Sequence, residues 1–122
     1  MIAVAVALAG AVGAPLRYLL DALVQDRLRR VFPWGTLLIN VSGSVALGAI
    51  TGAALYHAFP AVPKTVLGTG FCSAYTTFST FSYETNRLAE EGSRREAAAN
   101  VAGSVLGCLL GAAAGVAIGA AL

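Results

Sequence analysis

Charge is what this sequence has least of. Only 14 of its 122 residues are acidic or basic, 11% of the chain, where a soluble domain carries about 25%. It has one His, one Met, one Trp and two Cys. Each scarcity excludes something. So few charges cannot clothe a water-soluble surface, which rules out an ordinary cytosolic enzyme. Two Cys build no disulfide scaffold, and a net charge of +2 provides no basic face for nucleic acid. Disorder is excluded because 57% of the residues are hydrophobic. What the chain has is small and apolar: 25 Ala, 14 Gly and a mean hydropathy of +0.76. A spanning helix takes about 20 apolar residues, so four passes use roughly 80 and leave nothing for a soluble domain. The composition is that of a small integral membrane protein.

Four apolar stretches are predicted to be transmembrane helices of one domain over 1–122, at about 2–24, 34–56, 64–87 and 97–122. In lipid every backbone group must be paired internally, so such stretches are helical. Pro33 suits the entry to the second, where its missing N–H would find no partner anyway. Gly10 to Ala14 offer small residues after an apolar run, as a signal peptide does. There is no basic start, however, and apolar character resumes after Arg17, so this stretch reads as a retained pass. Arg27, Arg29, Arg30, Arg87, Arg94 and Arg95 gather on one side of the membrane and Lys64 alone on the other. The positive-inside rule then puts both termini outside the cytoplasm. The expected location is the cell's inner (plasma) membrane.

The fourth stretch carries Gly103, Gly107, Gly111, Gly115 and Gly119 at spacing four, and the second repeats the idea with Ser44, Gly48 and Gly52. Small residues let helices approach closely, so these ladders predict tight packing and no chemistry. Cys72 and Cys108 read as small packing residues. Polar residues inside a pass say more, because each needs a partner or water. Asn40 lies one turn beyond Thr36 on the same face, Asn100, Ser104 and Cys108 form a stripe on the fourth stretch, and Arg17 sits in the first with no acid before it. Taken singly, Asn40 and Ser104 are equally well explained as hydrogen bonds between helices. The third stretch departs furthest from a lipid-facing helix. From Ser73 to Thr85 it reads SAYTTFSTFSYET, seven hydroxyls from Ser or Thr in thirteen residues. Such side chains compete for backbone hydrogen bonds, so this stretch is expected to unwind locally and line a wet cavity. Freed carbonyls there could hold a cation. Phe78 and Phe81 share a face beside these hydroxyls. Their electropositive ring edges, with the Asn40 amide, would make an anion path of neutral donors that binds weakly enough to release.

TTFSTFS at Thr76 to Ser82, followed by Glu84, resembles the signature of the Fluc (CrcB) fluoride channels. So do GAPLRY at Gly13 to Tyr18 and GTLLINVSGS at Gly35 to Ser44. The resemblance covers the whole chain. It implies an all-α integral membrane protein of four helices per subunit, the third broken, assembled as an antiparallel, dual-topology dimer with two fluoride pores. Carried over by position, it makes Phe78 and Phe81 the pore phenylalanines and Asn40 the pore amide. Thr36, Thr80 and Ser104 join the polar lining, and Arg17 stands near an entrance. It also implies a structural sodium ion held by the backbone carbonyls of Ser73 and Thr76. Two glycines usual in the family are Ser73 and Ala74 here, and a Tyr–Ser–Ser track is Asn100–Ser104–Cys108. An antiparallel homodimer needs insertion both ways despite the charge bias; the alternative is pairing with a paralogue of opposite bias.

The expected function is passive export of fluoride across the lipid bilayer, relieving its toxicity, with no enzyme activity and no nucleic-acid partner. Two rivals have the right size. A small multidrug exporter needs a deep carboxylate, and the first stretch offers only Asp21, near its end. A non-transporting scaffold explains the glycine ladder but leaves the hydroxyl cluster without a purpose. An intramembrane hydrolase is weaker still, since the lone His57 lies in a turn and no buried base accompanies any Ser.

Overall fold

The computed structural model describes residues 1–28 and 30–122; Arg29, counted above with the basic side, lies outside the described residues. All the regular structure among these residues is helical, with no strand. Helix α1 spans Ile2–Leu28 and α2 Trp34–Tyr56. Next come α3 at Ala61–Thr65, a π-helical stretch at Val66–Cys72 and α4 at Ser73–Tyr75. Helix α5 spans Ser79–Glu90 and α6 Arg94–Ala121. Three of these, α1, α2 and α6, are long and apolar enough to cross a membrane.

Local chemistry sets most of the ends. Helix α1 runs on past Val24 to Leu28, where Gln25 and Arg27 are good helix formers. Helix α2 starts directly after Pro33 and stops where the His57 N–H closes on the Ala53 carbonyl at 2.9 Å. The end of α5 is a glycine stop of the Schellman kind. Ser93 N–H donates to the Leu88 carbonyl at 2.8 Å and Gly92 N–H to that of Ala89 at 3.2 Å. That pattern needs a left-handed residue, and Gly92 supplies it at φ +86°.

The glycine ladder lies in the contact between α2 and α6, the most extensive in the chain. A methyl group at Gly115 would strike the Val45 carbonyl and come within 2.9 Å of the Ala49 nitrogen. One at Gly48 would strike the Ala112 carbonyl from the other side. On the opposite flank α1 lies against the π-helical stretch, and a methyl group at Gly13 would sit 2.6 Å from the Phe71 carbonyl. These approaches hold two backbone-to-backbone seams together by dispersion, the main association force available in lipid. Val4, Leu8, Val12, Leu19 and Leu23 of α1 remain exposed, as do Leu106, Leu109 and Leu110 of α6. They form apolar surfaces suited to lipid or to another helix.

Candidate functional site

Thr76, Thr77 and Phe78 separate α4 from α5, and Thr76 is extended at φ −80° and ψ 162°. Leaving the helix frees backbone groups that must be paired elsewhere, and Asn40 of α2 takes two of them. Its Nδ2 donates to the Thr77 carbonyl and its Oδ1 accepts from the Thr77 N–H, both at 2.8 Å. The Thr77 hydroxyl then accepts from the Thr80 N–H at 3.2 Å, capping the first turn of α5. It also donates to the Thr80 hydroxyl at 3.1 Å and lies 3.3 Å from that of Ser79. Arg17 reaches in from α1, its Nη1 standing 3.4 Å from the Thr76 carbonyl. The hydroxyls of Ser42 and Tyr75 meet at 2.9 Å, tying α2 to α4.

Beside this junction lies a cavity of about 370 Å³. Its polar lining is Asn40, Ser44, Ser73, Thr76, Thr77 and Ser104, and no charged side chain among the described residues lines it. Phe78 and Phe81 close one wall with ring centroids 5.7 Å apart and planes tilted by 45°. Phe78 is 79% exposed, so its ring edge is open to whatever enters. Both free thiols, Cys72 and Cys108, also line the cavity.

Five of the residues picked from sequence therefore meet in one place: Asn40, Ser73, Thr76, Phe78 and Phe81, with Ser104 opposite them on α6. Others stand apart. Thr80 lies behind Thr77 in the hydroxyl chain, outside the cavity lining. Thr36 is 1% exposed, a turn nearer the start of α2 and outside the cavity lining. Arg17 touches the junction from behind, through a carbonyl. Asn100 is covered by α5, where its Nδ2 donates to the Thr85 hydroxyl at 2.9 Å. Ser104 Oγ lies 3.5 Å from Asn100 Oδ1.

Sequence reasoning missed Thr77, the residue on which the junction turns, and Gly43. A methyl group at Gly43 would strike Thr76 Cγ2. The available signal was the spacing of Gly43, three beyond Asn40 on one face of α2.

A helical chain with three segments long and apolar enough to span is a multi-pass membrane protein, and its cavity is lined by uncharged hydrogen-bonding groups such as an ion path needs. Its sequence matches the family described as CrcB-like protein, Camphor Resistance (CrcB), over residues 4–116, and the chain belongs to that family. Among its relatives, the fluoride-specific ion channel FluC 1 of Frankia casuarinae is 56% identical over 98 residues, 76% of each chain. The FluC 1 channel of Streptomyces avermitilis is 56% identical over 94 residues, again 76% of each. FluC 2 of Mycobacterium tuberculosis is 45% identical over 98 residues, 80% of this chain and 75% of its own.

Proposed function

We propose that this protein is a channel that lets fluoride leave the cytoplasm passively, and that the cavity beside Thr76–Phe78 is part of the fluoride path. The observation that carries the reading is the cavity wall: two tilted phenylalanine rings facing amide and hydroxyl groups, with no charged side chain among the described residues of the lining. Fluoride enters cells as the neutral acid and dissociates inside. A negative interior then adds about 2.3 kcal/mol of outward drive per 100 mV, so no energy source is required. Weak neutral donors suit such a path, because a fixed cation would hold the anion too long. Phe78 and Phe81 present ring edges to the ion, while Asn40, with one N–H left over after its two bonds to Thr77, and Ser104 supply hydrogen bonds. In this reading Thr36 and Thr80 act behind the wall and Arg17 steadies the junction.

The segment from Ala61 to Glu90 is the third of four passes in this reading, interrupted at Thr76–Phe78. The working unit is an antiparallel pair with a second copy or with a paralogue of opposite charge bias. The exposed Phe78 ring and the long apolar faces of α1 and α6 support such pairing. A sodium ion at the centre of that pair would be held by the carbonyls of Ser73 and Thr76, and both suit the role. The Thr77 N–H that a continuous helix would give to Ser73 goes to Asn40, and the Thr80 N–H due to Thr76 goes to the Thr77 hydroxyl. Among the described residues the Thr76 carbonyl meets only the long contact from Arg17. When bound, the ion would supply a positive charge that draws these carbonyls together.

The test is efflux from fluoride-loaded liposomes, followed with a fluoride electrode while potassium and valinomycin set the voltage. Fast fluoride loss with little chloride loss is expected, slowed by about tenfold or more, roughly 1.4 kcal/mol, in Phe78→Ile and Phe81→Ile. No fluoride loss, alone or with a co-expressed relative, refutes the channel. Labelling cysteines placed at the termini distinguishes the two pairings: equal access from both sides means self-pairing.

A further inference from the structure

Helices α2 and α6 run parallel, and they part toward their first residues. An added methyl group at Gly107 would still crowd Val41, but one at Gly103 would find only Leu37 Cδ2, at 4.0 Å. A groove of about 720 Å³ opens there. Its rim holds Arg30, Phe32, Trp34 and Glu96, and its floor Leu37 and Gly103. From Glu96 down to Gly103 the helix descends about 10 Å, at about 1.5 Å per residue. The groove thus passes from charged to apolar with depth, as a bilayer does from headgroup to chain. Ala99, also in the lining, precedes Cys108 by two and a half turns of α6, so the groove faces away from the cavity beside Phe78.

We infer that this groove binds one phospholipid with a zwitterionic headgroup of the ethanolamine type. Arg30 takes its phosphate, Glu96 its primary ammonium, and an acyl chain lies along Leu37 and Gly103. Charge decides the headgroup. The described lining holds one cation and one carboxylate, and among the described residues neither has an ion-pair partner. A net-anionic headgroup would be drawn by Arg30 and repelled by Glu96, whereas a zwitterion satisfies both. The guanidinium fork matches phosphate oxygens, and a primary ammonium donates N–H bonds to a carboxylate, which a quaternary one cannot do. Phe32 and Trp34, with ring centroids 4.8 Å apart, add an aromatic wall of the kind that sits at headgroup level. A second copy of this chain fits the groove less well, because the exposed Phe78 ring that supports pairing lies by the cavity on the other face.

This site stands whether or not fluoride passes through the protein, so its test reads lipid contact and not transport. Trp34 is the only tryptophan in the chain, and its fluorescence reports the groove directly. The purified chain is placed in vesicles of equal parts phosphatidylethanolamine, phosphatidylcholine and phosphatidylglycerol. In each of three preparations a different one of these lipids carries bromine near the headgroup end of a chain, where it quenches tryptophan on contact. Lipid that merely surrounds the protein quenches alike in all three. The expected result is excess quenching by the ethanolamine lipid, a preference of about threefold or more over each of the others. Arg30 is exposed and Glu96 half-buried, so both can be exchanged without disturbing the core. Glu96→Gln should turn the preference toward phosphatidylglycerol, and Arg30→Gln should cut the excess without that reversal. Equal quenching by all three lipids overturns the proposal, as does a choline lipid that matches the ethanolamine one. Absence of quenching by any of them overturns it too, since a second copy would then cover the groove, and so does a preference that Glu96→Gln leaves unchanged.

Discussion

The α2–α6 seam and the stretch from Ser73 to Thr85 solve the same problem, holding chain together inside a membrane, by opposite means. At Gly115 and Gly119 of the seam, backbone meets backbone and no side chain intervenes. In the polar stretch the helix is given up, and side chains meet freed backbone groups, Asn40 of α2 taking both the N–H and the carbonyl of Thr77. Dispersion across a seam depends on shape alone, so one methyl group defeats it. A hydrogen-bonded junction depends on atom type, so it tolerates volume and fails when a donor is removed. The largest effect is therefore expected from Gly115→Ala, whose new methyl group meets the Val45 carbonyl, the Ala49 nitrogen and the Gly48 Cα with no flexible side chain to yield. A loss of about 3 kcal/mol is expected, overpacking at its costly end, seen as a lowered Tm in detergent.

Asn40→Ala tests the junction in the same units. It leaves the N–H and the carbonyl of Thr77 without partners in a part-buried site. At about 1 to 3 kcal/mol for each fully buried group left unsatisfied, the two would cost about 2 to 6 kcal/mol, and water reaching this part-buried site brings the expected loss down to about 2 kcal/mol. Asn40→Asp sharpens the reading. It keeps the acceptor for the Thr77 N–H, loses the donor to its carbonyl, and adds a charge where an anion is proposed to pass. Fluoride efflux is expected to fall further than Tm does. Tyr75→Phe is milder: it removes one hydroxyl pairing with Ser42 and should cost about 1 kcal/mol. If it slows efflux as much as Phe81→Ile does, the α2–α4 tie shapes the path itself.

The two regions were not equally legible in the sequence. A glycine ladder at spacing four announces close packing in any helical frame, and α2 could be bounded at both ends because its apolar run begins after Pro33 and ends at His57. Hydropathy measures the lipid, not the helix, which is why α1 runs on to Leu28 and α6 begins at Arg94. The π-helical turn at Val66–Cys72 left no trace in periodicity. It packs closely against α1, where a methyl group at Gly70 would come within 2.8 Å of the Val6 carbonyl. In the hydroxyl cluster, composition marked the stretch but could not rank its members. Thr77 matters because the chain turns there and Asn40 is opposite, both facts of tertiary placement. Thr36 and Asn40 share a face of α2, yet the first is buried at 1% exposure while the second lines the cavity.

The ladder also conceals a gradient that the sequence cannot express, and the smallest prediction follows from it. Its five glycines look equivalent, but their neighbours differ. At Gly119 and Gly115 an added methyl group strikes backbone, at Gly111 it lies 3.1 Å from the Val41 carbonyl, and at Gly107 it meets only a Val41 side chain. At Gly103 the nearest atom is Leu37 Cδ2 at 4.0 Å. Gly103→Ala should therefore leave the chain as stable as before, or more so by about 0.5 kcal/mol, since Ala favours a helix over Gly. The contrast with Gly115→Ala, one chemical change at two rungs of one ladder, isolates backbone approach from helix propensity. A large loss at Gly103 would mean that the open end of the seam is closed in the membrane by something outside this chain. The same variant assayed with and without a co-expressed partner would then locate the contact.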